Sequence, residues 1–168
     1  MTGSTLVGMA EIKVIQETGS LVCLGLGSCV GICALDPVAK VGGMVHVMLP
    51  EAFNGEPGDK PGKFADTALP ALIAQMEAAG ARKSRLVLAV SGGAQVFKSS
   101  TGAAPKLDVG ERNGAAVRAA IKKQGLRCKA EDLGGNQGRT VTFKLDTGDI
   151  IVKTLSVGEK NLTNLRAA

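Results

Sequence analysis

The chain has 168 residues, 45% of them apolar, a net charge of +5, four Phe and neither Trp nor Tyr. That length suits one well-cored domain, residues 1–168, and is too short for two. The Lys and Arg are scattered without interleaved aromatics, which disfavours nucleic acid; no apolar run approaches the ~18 residues of a membrane span, and no secretory h-region follows Met1, so a cytoplasmic chain with reduced thiols is expected.

Taken in order, residues 1–10 are small and mixed, and 11–16 (EIKVIQ) alternate as a half-buried strand does. Apolar runs at 21–26, 30–35 and 44–49 predict three buried strands, the first ending in the glycine turn Gly25-Leu26-Gly27-Ser28 and the last at Pro50. Residues 51–62, rich in Gly, Pro and charge, read as a surface loop. Leu69, Leu72, Ile73 and Met76 have helical spacing, with Gly80 as stop; Pro70 fits only a first turn, which predicts a helix starting near Ala68 or Leu69. A strand at 86–90 leads into a second glycine loop, Ser91-Gly92-Gly93-Ala94. A second helix is predicted over 110–124, with Asn113 as a candidate cap and Gly125 as stop. Strands at 140–145 and 150–154 flank a hairpin turn, and the last dozen residues predict no element. The sum is six to nine strands and two principal helices without βαβ alternation, an α+β single-domain layered sandwich of mostly antiparallel strands.

The chemistry concentrates in LGLGSCVGICALDPVAKVGGMVHVMLP, which holds Cys29 and the only histidine, His46. A free thiol with pKa ~8.5 is only partly thiolate at neutral pH, so a nucleophilic cysteine needs a proton acceptor, and imidazole serves. A hairpin turning within residues 36–43 brings Cys29 opposite His46, at ~5 Å between Cβ atoms if the two share a face. Backbone N–H groups of Gly27 and Ser28 could meet an oxyanion there. Plainer readings compete: cysteines in strands are usually structural, the reading given to Cys33 and Cys128, and a lone His in MVHVM is more often core than base. Val30 occupies the place where a dinucleotide-binding loop needs a third glycine. Cys23, Cys29, Cys33 and His46 lack the C-x-x-C knuckle of a zinc site, so neither metal nor cofactor is expected.

The same run, with KFADTALPALIAQM, SGGAQVF, VGERN, EDLGGNQGRTVTF and TGDIIVK, closely resembles the CheD family of chemoreceptor glutamine deamidases over about residues 13–153. The resemblance implies a cytoplasmic chemotaxis enzyme that converts receptor glutamines to glutamate without a cofactor, with Cys29 as nucleophile and His46 as base. It places Cys23 where the family commonly has the threonine of a triad, and Ser91 where an aromatic or aliphatic residue usually precedes the GGA loop. The 51–62 loop and Gly92 and Gly93 are its candidate substrate-side surfaces. The expected partner is a chemoreceptor cytoplasmic domain, with a CheC-type phosphatase as a further candidate. Two alternatives stand beside the deamidase: an interaction protein with a degenerate site that binds such a phosphatase or a receptor, and a related Cys-His amidase acting on another protein.

Overall fold

A computed structural model describes residues 3–52, 56, 58–95 and 108–167. Among these residues ten strands and two α-helices follow one another as β1 (Ser4–Leu6), β2 (Ile12–Gln16), β3 (Ser20–Leu26), β4 (Val30–Asp36), β5 (Val41–Val47), α1 (Ala65–Ala78), β6 (Val87–Gly92), α2 (Val109–Gln124), β7 (Arg127–Leu133), β8 (Arg139–Lys144), β9 (Asp149–Thr154) and β10 (Gly158–Asn164). They form two five-stranded sheets, β1-β3-β8-β9-β10 and β2-β5-β4-β6-β7. The β1–β3 and β6–β7 pairs are parallel and the other pairings antiparallel. This is the expected α+β layered sandwich.

β4 explains the layering. All seven of its residues are buried, and a strand covered on both faces reads as a continuous apolar run. Val30, Ile32 and Ala34 join Val45, Val47, Leu88 and Val90 under Leu69, Leu72 and Met76 of α1 and Val117 and Ile121 of α2. Cys33 and Leu35 point the other way, with Met44 and Ala89, onto Leu21, Cys23, Leu26, Val141 and Phe143 of the first sheet. Sheet, sheet and helices are therefore stacked around two apolar layers. Gly43 lets α1 approach: a Cβ there would lie 2.8 Å from Leu72 Cδ1 and 2.9 Å from Met76 Sδ.

Several expectations need correction. α1 begins at Ala65, placing Pro70 in its second turn. Pro70 is on the exposed side, where water can take the Asp66 carbonyl that proline leaves without an N–H partner. α2 is capped by Asp108, whose side chain accepts the Glu111 N–H at 2.7 Å, and not by Asn113, which is fully buried in the second turn. The strand count exceeds six to nine because β1, β7 and β10 carry weak patterns, and β6-α2-β7 is a parallel crossover, so one βαβ unit is present after all. Residues 53–55 and 57 of the 51–62 loop, and the end of SGGAQVF, lie outside the described residues.

Candidate active site

β3 and β4 are consecutive strands of different sheets, joined across residues 27–29. Gly25, with φ +58, lies at the irregular end of β3 just before this crossing, and Cys29 ends the crossing, one residue before β4. Cys29 is half-buried against the inter-sheet layer. His46 belongs to β5 and is 5% exposed. In the β4–β5 register the Cα partner of His46 is Gly31, not Cys29. Cys29 stands two residues before Gly31, on the same alternating face, which makes it the diagonal neighbour of His46. Such neighbours lie ~7–8 Å apart at Cα, within reach of an imidazole. Direct opposition is thus corrected to a diagonal, and Cys29 packs against the inter-sheet layer that Gly31 faces.

Gly31 leaves a gap between the two. A Cβ on it would lie 3.5 Å from Cys23 Sγ and 3.3 Å from Leu26 Cδ1. Cys23 fills this space from β3, with its Sγ 3.3 Å from Met44 Sδ. Burial, and then the adjacent Cys29, push the Cys23 thiol up to about 12. It is a neutral packing group turned toward a thioether. The partner of the His46 ring is instead the main chain: Nδ1 lies 3.1 Å from the Val7 carbonyl oxygen. With the proton on Nδ1 donated to that carbonyl, Nε2 is left as the acceptor. The backbone of His46 is held by the same segment, the Ala10 N–H donating to His46 O at 2.9 Å and the His46 N–H to Glu11 O at 3.2 Å. Burial raises the Cys29 thiol above its ordinary value, so at neutral pH Cys29 rests as a thiol.

The crossing loop is gripped by its carbonyls. Gly27 O accepts from the Ala94 N–H and Cys29 O from the Gly93 N–H, both at 2.8 Å. Ser28 O accepts from Asn113 Nδ2 at 2.8 Å, and the same amide donates to Met48 O at 2.9 Å. Gly92 permits this contact: its φ is +127, and a Cβ there would lie 2.2 Å from Cys29 O. Gly92 and Gly93 therefore pack directly against the Cys29 main chain.

Of the residues singled out from sequence, Cys29, His46, Cys23, Gly92 and Gly93 converge on this crossing with Gly27 and Ser28. Cys33 is fully buried and its thiol strongly raised by burial, and half-buried Cys128 donates to Ala130 O at 3.3 Å. Ser91 is buried and donates to Asp132 Oδ2 at 3.1 Å, which also pairs with Arg139 Nη1 at 3.0 Å. Val7 and Asn113 were not found from sequence as site residues. Val7 contributes only a main-chain carbonyl, which leaves no side-chain signal; Asn113 stands in a helical run where a polar residue reads as surface or cap.

The family model described as CheD chemotactic sensory transduction matches residues 48–154. A protein named probable chemoreceptor glutamine deamidase CheD, from Desulfitobacterium hafniense, is 45% identical over 160 residues, covering 95% of this chain and 99% of its own length. One of the same name from Symbiobacterium thermophilum is 45% identical over 158 residues, covering 93% and 95% of the two chains. The chemoreceptor glutamine deamidase CheD of Thermotoga maritima is 43% identical over 155 residues, covering 92% and 94%. These similarities run through both Cys29 and His46 and beyond the residues of the family match, and with them the chain belongs to the CheD family.

Proposed function

We propose that this chain hydrolyses selected glutamine side chains of chemoreceptors to glutamate, with Cys29 as the nucleophile. The observation that carries the reading is the placement of Cys29 and His46 on one face at a sheet-to-sheet crossing, with the His46 ring fixed through Nδ1 by Val7 O. The names of the relatives supply the substrate class. His46 Nε2 takes the Cys29 proton as sulfur attacks the side-chain amide carbon. The amide oxygen becomes an oxyanion facing N–H groups of the 27–29 loop. Collapse expels ammonia with a proton returned by His46 and leaves a thioester. A water activated by His46 then releases glutamate and restores the thiol, so that one water is consumed and one ammonia formed per turnover. No cofactor enters the balance.

Mass spectrometry of a chemoreceptor cytoplasmic fragment tests this. Wild-type protein is expected to add ~1 Da per deamidated glutamine and Cys29→Ala none. Turnover retained by Cys29→Ala would refute the assignment.

A second reading rests on the raised Cys29 thiol and on Cys23 facing Met44 rather than His46. A weakly activated site suits a binding protein for a receptor or a CheC-type phosphatase. That reading expects stoichiometric binding, unchanged in Cys29→Ser, and no mass gain.

A further inference from the structure

The peptide bonds of the crossing loop are trans, so each carbonyl and the N–H of the next residue point in opposite directions within the peptide plane. The Gly27 carbonyl is taken by the Ala94 N–H, which turns the Ser28 N–H away from the 92–94 loop. The Ser28 carbonyl is taken by Asn113 Nδ2, which turns the Cys29 N–H away from α2. Among the described residues, neither the Ser28 nor the Cys29 N–H is taken by a backbone carbonyl. Carbonyls inward and amides outward is the arrangement an oxyanion site needs. Two of the three carbonyl clamps come from main-chain N–H groups; the third is a side chain.

We infer that Asn113 is a positioning residue for deamidation, because its one amide group holds the Ser28 carbonyl beside the nucleophile and the Met48 carbonyl beside the base. Asn113 is fully buried and, among the described residues, its Oδ1 has no hydrogen-bond partner, so the site keeps an amide where an unpaired polar oxygen weakens the fold. The two donated bonds span 85 and 65 residues of chain, from α2 to the crossing loop before β4 and to the residue after β5. Cys29 directly follows Ser28, and His46 lies two residues before Met48, so release of the amide disturbs both reacting groups and the Cys29 N–H together. The inference rests on the deamidase reading.

The test uses the full chain, a chemoreceptor cytoplasmic fragment as substrate, and three variants: Asn113→Asp, Asn113→Ala and Val117→Ala. Asp keeps the shape and loses the amide donors; Val117, buried in the same helix away from the loop, reports loss of stability alone. Asn113→Asp and Asn113→Ala are expected to lower kcat roughly 10- to 100-fold with KM within about threefold, the pattern for interactions made in the transition state. Alkylation of Cys29 by iodoacetamide at pH 10, which needs neither oxyanion donors nor base, is expected to stay within about twofold of wild type. Val117→Ala is expected to lower the Tm while kcat holds. Normal kcat in the Asn113 variants, a common fall of kcat and alkylation, or failure of both Asn113 variants to fold would each overturn the inference. If wild-type protein itself releases no ammonia, the deamidase reading fails first.

Discussion

His46 Nδ1 lies 3.1 Å from the carbonyl oxygen of Val7, while Cys23, in the position the family pattern gives to a threonine, turns its sulfur onto Met44. The imidazole is therefore oriented by a main-chain group that no side-chain substitution removes. Deamidation by Cys23→Ala is expected to stay within about threefold of wild type, at a stability cost of about 1 kcal/mol for the lost sulfur packing. A loss of kcat beyond about 30-fold with the fold intact would instead put the Cys23 thiol in the catalytic machinery.

Cys29 is a raised thiol, burial disfavouring its charged form. The sign follows: thiolate accumulates as pH rises, and its midpoint lies above the ~8.5 of an unperturbed thiol. Iodoacetamide alkylation rates followed by mass spectrometry are expected to climb through that range without a plateau near neutrality. A plateau below pH 7 would reveal a preformed thiolate–imidazolium pair and replace the neutral resting site described above.

Asp36 closes the β4–β5 hairpin. Its fully buried carboxylate accepts the Val38, Ala39 and Arg82 N–H groups and pairs with Arg85. Burial by itself would raise this group, but the Arg85 guanidinium and the three N–H groups outweigh it and lower it from 3.8 to about 2. A depressed folded value gives stability present above the unfolded pKa and lost as pH falls through the folded one. About 2 kcal/mol is expected to disappear between roughly pH 4 and pH 2. Urea unfolding at pH 7 and pH 3 should show a smaller difference for Asp36→Asn than for wild type; equal differences would remove Asp36 from the account.

Gly92 and Gly25 separate contact from backbone strain. Both have positive φ, +127 and +58, but a Cβ on Gly92 meets Cys29 O at 2.2 Å whereas nothing lies within 4 Å of one on Gly25. Gly25→Ala is expected to cost about 1–2 kcal/mol for its left-handed conformation. Gly92→Ala adds overpacking of about 1–3 kcal/mol and pushes Cys29 from its seat, so its deamidation is expected to fall well below that of Gly25→Ala. Thermal melts with parallel activity assays check both; equal activity in the two variants would show that the Gly92–Cys29 contact does not hold the site.

The sequence by itself determined the local part of this protein. Continuous apolar runs marked β3, β4 and β5, Gly80 and Gly125 marked the helix ends, and the short β4–β5 turn kept His46 and the residue before β4, Cys29, within one hairpin. The strands it did not reveal, β1, β7 and β10, are edge strands, and with one side unpaired they keep charged and polar residues such as Lys129 and Lys160 that blur the alternation. Only the tertiary structure decided the diagonal placement of Cys29, the Val7 carbonyl on His46 and the Asn113 clamp. Those contacts join residues 39, 85 and 65 positions apart. All three acceptors, Val7 O, Ser28 O and Met48 O, are main-chain carbonyls, and every residue type has one, so nothing in the order of side chains marks which carbonyl will meet the imidazole or the amide until the two sheets and α2 are packed.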